Sequence, residues 1–157
     1  MRSVLVLTAA TVVAVAGCTA VKPPTATVTG ARVVDVTAAG AQMAVDVLLT
    51  NPNDEPLPLT RADYRVSAPD AGLRAYAFAE LPNRTIPGRG SQRVTLPAAL
   101  PATEARAVAV RPGAWRVSGS FTYAPDRGLR AFLTETGVPL PEVGFNGSSK
   151  FEVRSTK

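Results

Sequence analysis

The chain has 157 residues, 46% of them hydrophobic, and a formal charge of +5 from 17 basic and 12 acidic side chains. It has no histidine and one cysteine, which removes the commonest general base and the commonest metal ligand and excludes a disulfide within the chain. The basic residues are scattered from Arg2 to Lys157 with no cluster and no interleaved aromatic platform, so nucleic acid is not an expected partner.

Arg2 gives a short positive start, and an apolar stretch from Val4 to Val15 follows, broken only by Thr8 and Thr11. That is too short for a bilayer span, which needs about 20 apolar residues, and suits the hydrophobic region of a signal peptide. The stretch ends in Val15-Ala16-Gly17-Cys18, which resembles the bacterial lipobox: an aliphatic residue, two small ones, then a cysteine. The resemblance implies cleavage between Gly17 and Cys18 and a covalent lipid on the Cys18 thiol, with acyl chains such as palmitate. Two or more such chains hold a protein stably on a membrane where one does not. Thr19, where an aspartate favours inner-membrane retention in Gram-negative sorting, points to the periplasmic face of the outer membrane. The alternative is a plain secretory signal with Cys18 near the cut by coincidence.

Removal of residues 1–17 leaves enough chain for one domain with a real core. The expected organisation is a lipoprotein signal peptide at 1–17, a lipid-anchored linker at 18–25 stiffened by Pro23 and Pro24, and a single domain at 26–157. No later segment approaches membrane-spanning length.

From residue 26 onward, short alternating runs are separated by Pro and Gly, the pattern of an antiparallel β domain. Residues 26–37 form the first expected strand. Ala41, Met43, Val45, Val47 and Leu49 then fall on one face against Gln42, Asp46 and Thr50 on the other. Ala62, Tyr64, Val66 and Ala68 alternate with Arg61, Asp63, Arg65 and Ser67, and residues 73–80 give another strand. Val94 and Leu96 alternate with Arg93 and Thr95. Trp115, Val117, Phe121 and Tyr123 alternate with Arg116, Ser118, Ser120 and Thr122. Phe151 and Val153 alternate with Lys150, Glu152 and Arg154. Thr103 is placed to cap a turn through Ala107, and Asp126 to cap a helix over 127–135 that Gly137 stops. Within that helix Leu129, Phe132 and Leu133 share a face. The fold class is therefore mainly β: an antiparallel two-sheet sandwich, fibronectin-III- or immunoglobulin-like, with one or two short helices.

One stretch stands out: Val47-Leu48-Leu49-Thr50-Asn51-Pro52-Asn53, then Pro56-Leu57-Pro58-Leu59. A strand ends at Asn51, Pro52 stops the hydrogen-bond ladder, and Asn51 and Asn53 are suited to bond nearby backbone and hold a turn. This stretch resembles the type 2 late-embryogenesis-abundant (LEA) family, whose unit is also called the water-stress and hypersensitive-response (WHy) domain. Ile86-Pro87-Gly88-Arg89-Gly90-Ser91-Gln92-Arg93-Val94 and Trp115-Arg116-Val117-Ser118-Gly119 match two further family segments in the expected order. The resemblance covers about residues 26–124; no family motif falls on the excursion from Pro125 to Pro141. It implies a seven-stranded fibronectin-III-like sandwich with a helix, association with desiccation or osmotic stress, and no enzymatic activity. Asn51, Pro52 and Asn53 enter as structural turn residues.

The search for chemistry yields little else. The mature chain has only Lys22, Lys150 and Lys157 as lysine partners for a serine nucleophile, and nothing resembles Ser-x-x-Lys. Gly88-Arg89-Gly90 begins like a phosphate loop, but Arg93 stands where the third glycine belongs and a strand follows, so a turn is expected. Asp54, Glu55, Asp63 and Glu80 have no spacing that marks a calcium loop or a glycosidase pair. Asn83-Arg84-Thr85 and Asn146-Gly147-Ser148 match the glycosylation sequon and read as turns. Trp115 reads as a core anchor.

The reading is thus of a non-enzymatic, lipid-anchored envelope protein linked to desiccation or osmotic stress. Its expected contacts are weak ones with envelope protein clients or the membrane surface. No catalytic residue, metal or cofactor beyond the Cys18 lipid is expected, and no small-molecule ligand. An adaptor subunit of an envelope complex is the alternative, docking by a strand edge or by the 125–141 excursion with Leu140 between Pro139 and Pro141 as a rigid apolar tip. A hydrolase working through carboxylates alone ranks last.

Overall fold

A computed structural model of the chain describes residues 22–104, 114–125 and 127–150, apart from the side chains of residues 71, 127, 149 and 150. The lipobox, Gly17, Cys18 and the alternation at Phe151 and Val153 lie outside the described residues.

The alternating runs become strands because each buries one parity. In β2 (Gly40–Thr50), Met43, Val45, Val47 and Leu49 are all buried, while Gln42, Asp46 and Thr50 face out. β3 (Leu57–Ala68) buries Leu57, Leu59, Ala62, Tyr64, Val66 and Ala68, and β7 (Ala114–Tyr123) buries Trp115, Val117, Phe121 and Tyr123. β6 (Ser91–Pro101) buries Val94, Leu96, Ala98 and Leu100. β1 (Thr25–Thr37) and β4 (Leu73–Glu80) fall where strands were expected. Antiparallel sheets with one wet face require this period of two.

The strands make two antiparallel sheets. The first has the order β1-β2-β6; the second has β4-β3-β7-β8, with the short β5 (Arg84–Ile86) on the start of β3. β8 is Glu142–Lys150. The described strands number eight, one more than the resemblance implies. Their inner faces share one core in which Trp115, Phe121, Met43 and Leu49 are fully buried. The Phe121 and Phe145 rings lie 5.1 Å apart, at a spacing typical of paired aromatics. Along one side β1 meets β8: a Cβ on Gly147 would lie 2.6 Å from Val28 Cβ.

That contact corrects one expectation. Asn146-Gly147-Ser148 is not a turn but part of β8, paired with Ser118, Val117 and Arg116. The glycine is there to let the two sheet edges approach. Asn83-Arg84-Thr85 is not a turn either: Asn83 takes a left-handed φ of 42°, and Arg84 and Thr85 belong to β5. Residues 102–104 are helical, and Thr103 Oγ1 bonds the Glu104 carboxylate beside it. The rest of that expected turn, and Asp126, lie outside the described residues.

The helix α1 (Arg127–Thr136) forms as expected and ends in a Schellman motif. Gly137 takes φ 69°, its N–H donates to Thr134 O at 3.3 Å, and the Val138 N–H donates to Leu133 O at 2.9 Å. Among the described residues no helix is long and apolar enough to cross a membrane.

Register decides what lies at each end of the sandwich. Thr25 pairs with Thr50 and Thr50 with Ser91; Leu57 pairs with Ile86 and Leu59 with Tyr123. The start of β1, the β2–β3 turn, the β5–β6 turn and the β7–β8 excursion therefore gather at one pole. The β1–β2 and β3–β4 turns and the end of β8 lie at the other, where Thr37 pairs with Gly40, Ala68 with Leu73 and Ala114 with Lys150.

Candidate functional site at the pole where the chain enters

The two stretches that carry the family resemblance before residue 100 are separate in sequence and joined in space. Asn51 is buried to 1% exposure, the single polar side chain in the described core. All of its amide chemistry is used. Nδ2 donates to Glu55 O at 2.7 Å and to Pro87 O at 3.3 Å, and Oδ1 accepts from the Asn53 N–H at 3.0 Å and from Asn53 Nδ2 at 3.1 Å. Its own N–H donates to Gly90 O at 2.9 Å. One buried amide thus binds the β2–β3 turn to the β5–β6 turn, and a satisfied buried network of this kind fixes a single geometry.

Asn53 extends the lattice to the entering chain. Its Nδ2 donates to Lys22 O at 2.7 Å, and its Oδ1 accepts from the Lys22 N–H at 2.9 Å. Pro24 beside them is buried. Residues counted as linker are in this way fastened to the domain before β1 begins.

Gly88 is required by proximity. A Cβ there would lie 1.7 Å from Asp54 O, closer than any packing can absorb. Arg89 follows in the left-handed region at φ 48°, a conformation that costs a non-glycine residue about 1 kcal/mol. Its N–H donates to Asn53 O at 2.7 Å and its guanidinium bonds Asp54, with one arm at 3.1 Å. The guanidinium holds the Asp54 carboxyl below its ordinary range. Both side chains are 73% exposed, so the pair contributes little to stability. Gly88-Arg89-Gly90 is the expected turn and leads into β6.

The third matched stretch lies elsewhere, in the core. Trp115 is 1% exposed, as a core anchor should be, and its Nε1 has no partner among the described residues. Gly119 lets β7 sit against β3, since a Cβ there would lie 2.4 Å from Asp63 O.

The remaining carboxylates do not converge. Asp54 and Glu55 are on the turn. Asp63 pairs with Arg61 on the same strand at 2.6 Å, which holds its carboxyl below the ordinary range, and Glu80 lies opposite Ala62 on β4. Among the described residues no group of three or more His, Cys, Asp or Glu side chains is placed to hold a metal ion. Tyr64, 3% exposed, donates its hydroxyl to Pro97 O across to the other sheet; burial, with Glu80 adding to it, pushes its pKa up to about 12. A cleft of about 600 Å³ runs along the β6 edge, lined by Gln42, Glu80, Leu81, Arg84, Arg93 and Thr95 among others.

The excursion is also not as expected. Leu140 is half buried, and Pro141 accepts the Tyr123 N–H at 3.1 Å, so this segment docks on the end of β7. The large apolar side chains exposed on it are Phe132, 58% exposed, Val138, 49% exposed, and Leu129, 39% exposed.

Solved structures of low sequence identity share the fold. The chain is similar to a protein assigned as late embryogenesis abundant, at 17% identity and a TM-score of 0.56, over 82% of this chain and 71% of that one. It is similar to an Arabidopsis thaliana protein at 14% identity and a TM-score of 0.58, over 88% and 87% of the two chains. A protein from Archaeoglobus fulgidus matches at 13% identity and a TM-score of 0.54, over 81% and 96%. No family model matches the chain, and no curated protein matches its sequence. The two-sheet architecture expected from the LEA type 2 resemblance is the architecture observed.

Proposed function

We propose that the chain is a non-enzymatic envelope lipoprotein of the LEA type 2 kind, held by a lipid on Cys18 at the periplasmic face of the outer membrane. In this reading it supports survival under desiccation or osmotic stress. The observation that carries the reading is the Asn51 amide. It joins the two motif stretches in one turn lattice, on a fold similar to that of a late-embryogenesis-abundant protein. The sandwich acts as a folded surface and not as a disordered protectant, because its backbone groups are already paired in the two sheets. Its work is done by weak polar contacts from the outward sheet faces to client proteins or lipid headgroups.

Cells lacking the gene, compared with the same cells carrying it back on a plasmid, test the role through cycles of drying and osmotic shock. Reduced survival restored by the wild-type gene, and not by Cys18→Ser, is the expected result. Survival equal to the parent strain in both treatments overturns the stress role. Intact-mass measurement of the native product reads the anchor separately: acyl mass on a chain beginning at Cys18 is expected, and a retained Met1 or a free thiol overturns it.

A further inference from the structure

Helix α1 is poorly explained by the fold that carries it. Its residues from Gly128 to Thr136 are exposed, except for the half-buried Leu133. Yet one side of it is apolar. Phe132, on the side that Leu129 and Leu133 share at helical spacing, is 58% exposed, and Val138 just past the cap is 49% exposed. Arg130 lies on the same short helix, with Glu135 one turn and a half further on. A helix with an apolar side and basic residues is suited to the boundary between headgroups and acyl chains.

The location supplies the occupant. α1 rises from the end of β7 at the pole where the chain enters, and Lys22 is hydrogen-bonded there to Asn53. Only four peptide steps separate Lys22 from Cys18, and four extended residues reach at most about 14 Å. A lipid on Cys18 therefore keeps this pole against the bilayer surface, at an effective concentration that makes a weak second contact sufficient. A ten-residue helix offers far less than the roughly 800 Å² per partner of a standard protein interface, which disfavours a second copy or a dedicated protein.

We propose that the apolar side of α1 and Val138 rests in the headgroup layer of the same membrane leaflet that holds the Cys18 lipid. The protein is then fastened at two points and stands with its β1–β2 and β3–β4 turns away from the membrane. This rests on the lipid-anchor reading above.

The test uses the acylated full chain, carrying Phe132→Cys or Val138→Cys and reconstituted into vesicles of phosphatidylethanolamine and phosphatidylglycerol. With Cys18 acylated, the new thiol is the sole one and takes a nitroxide label. Ala38→Cys, exposed in the β1–β2 turn at the far pole, is the control. We expect labels at 132 and 138 to be open to dissolved oxygen and several-fold more shielded from a water-soluble nickel chelate than the label at 38. Equal nickel access at the two poles, on protein whose mass shows the acyl chains, overturns the helix contact and leaves the anchor standing. Shielding from both reagents, or spin–spin broadening between labels, assigns the surface to a protein or a second copy and overturns it as well. A chain without acyl mass that does not stay with the vesicles overturns the anchor reading, and the proposal with it.

Discussion

Two neighbours at one pole are built on opposite plans. The Asn51 lattice is over-determined: a buried amide with four hydrogen bonds, a glycine with no room for a methyl group, and a strained Arg89 held from both ends. The α1 excursion is held at its base by Pro141 and Tyr123 and terminated by its own cap, with its middle in solvent. The lattice contributes to the stability of the domain, whereas the excursion contributes surface. A sequence change should therefore cost much in the first and little in the second.

The sharpest break is Gly88→Ala. The new Cβ meets backbone that cannot rotate away, so a loss of about 3 kcal/mol or more is expected, a fall of roughly 10 °C in Tm by thermal unfolding. A wild-type Tm would remove the close approach from the account. Asn51→Ala comes next, at about 2–3 kcal/mol in denaturant titration, because it leaves Glu55 O and Pro87 O without their donor and the Asn53 N–H without its acceptor.

Smaller again is an alkaline effect between the sheets. Tyr64 has a folded pKa near 12, above its ordinary 10, so the stability it lends is complete below pH 10 and is lost as pH rises from 10 towards 12. A decline on the order of 1–2 kcal/mol over that range is expected, and Tyr64→Phe should flatten it. An identical slope in both proteins would exclude Tyr64 as its source. Smallest is Phe132→Ser on α1, expected within about 0.5 kcal/mol of wild type in solution. A larger loss would show that the helix supports the fold after all.

The same contrast explains what the sequence could and could not reveal. Parity alone placed β2, β3, β6 and β7 with their inward residues, because one wet and one dry face impose a period of two. β8 escaped notice: Asn146, Gly147 and Ser148 read as turn residues, and the reason for Gly147, a valine on the far-off β1, is a tertiary fact. The asparagine turn was visible as a turn, while its bond to Pro87 was not, since no local pattern records a contact across 36 residues. Likewise Leu140 looked exposed between prolines, but Pro141 folds back onto β7 and carries it in. The apolar side of α1 was legible from spacing; that nothing in the sandwich buries Phe132 was not.

The placement of Lys22 has a mechanical consequence. The chain enters at one pole and β1 runs away from it towards the other, paired with β2 from Thr25↔Thr50 to Thr37↔Gly40 with register shifts after Val28 and Val33. A pull on residue 22 is thus directed along the strand axis. It loads the Lys22–Asn53 bonds and then the whole β1–β2 ladder in shear, so that many bonds must yield together and none can be unzipped singly. Resistance to such a load is set by the unfolding rate and not by equilibrium stability. The fold is shaped to bear tension at the pole where β1 begins.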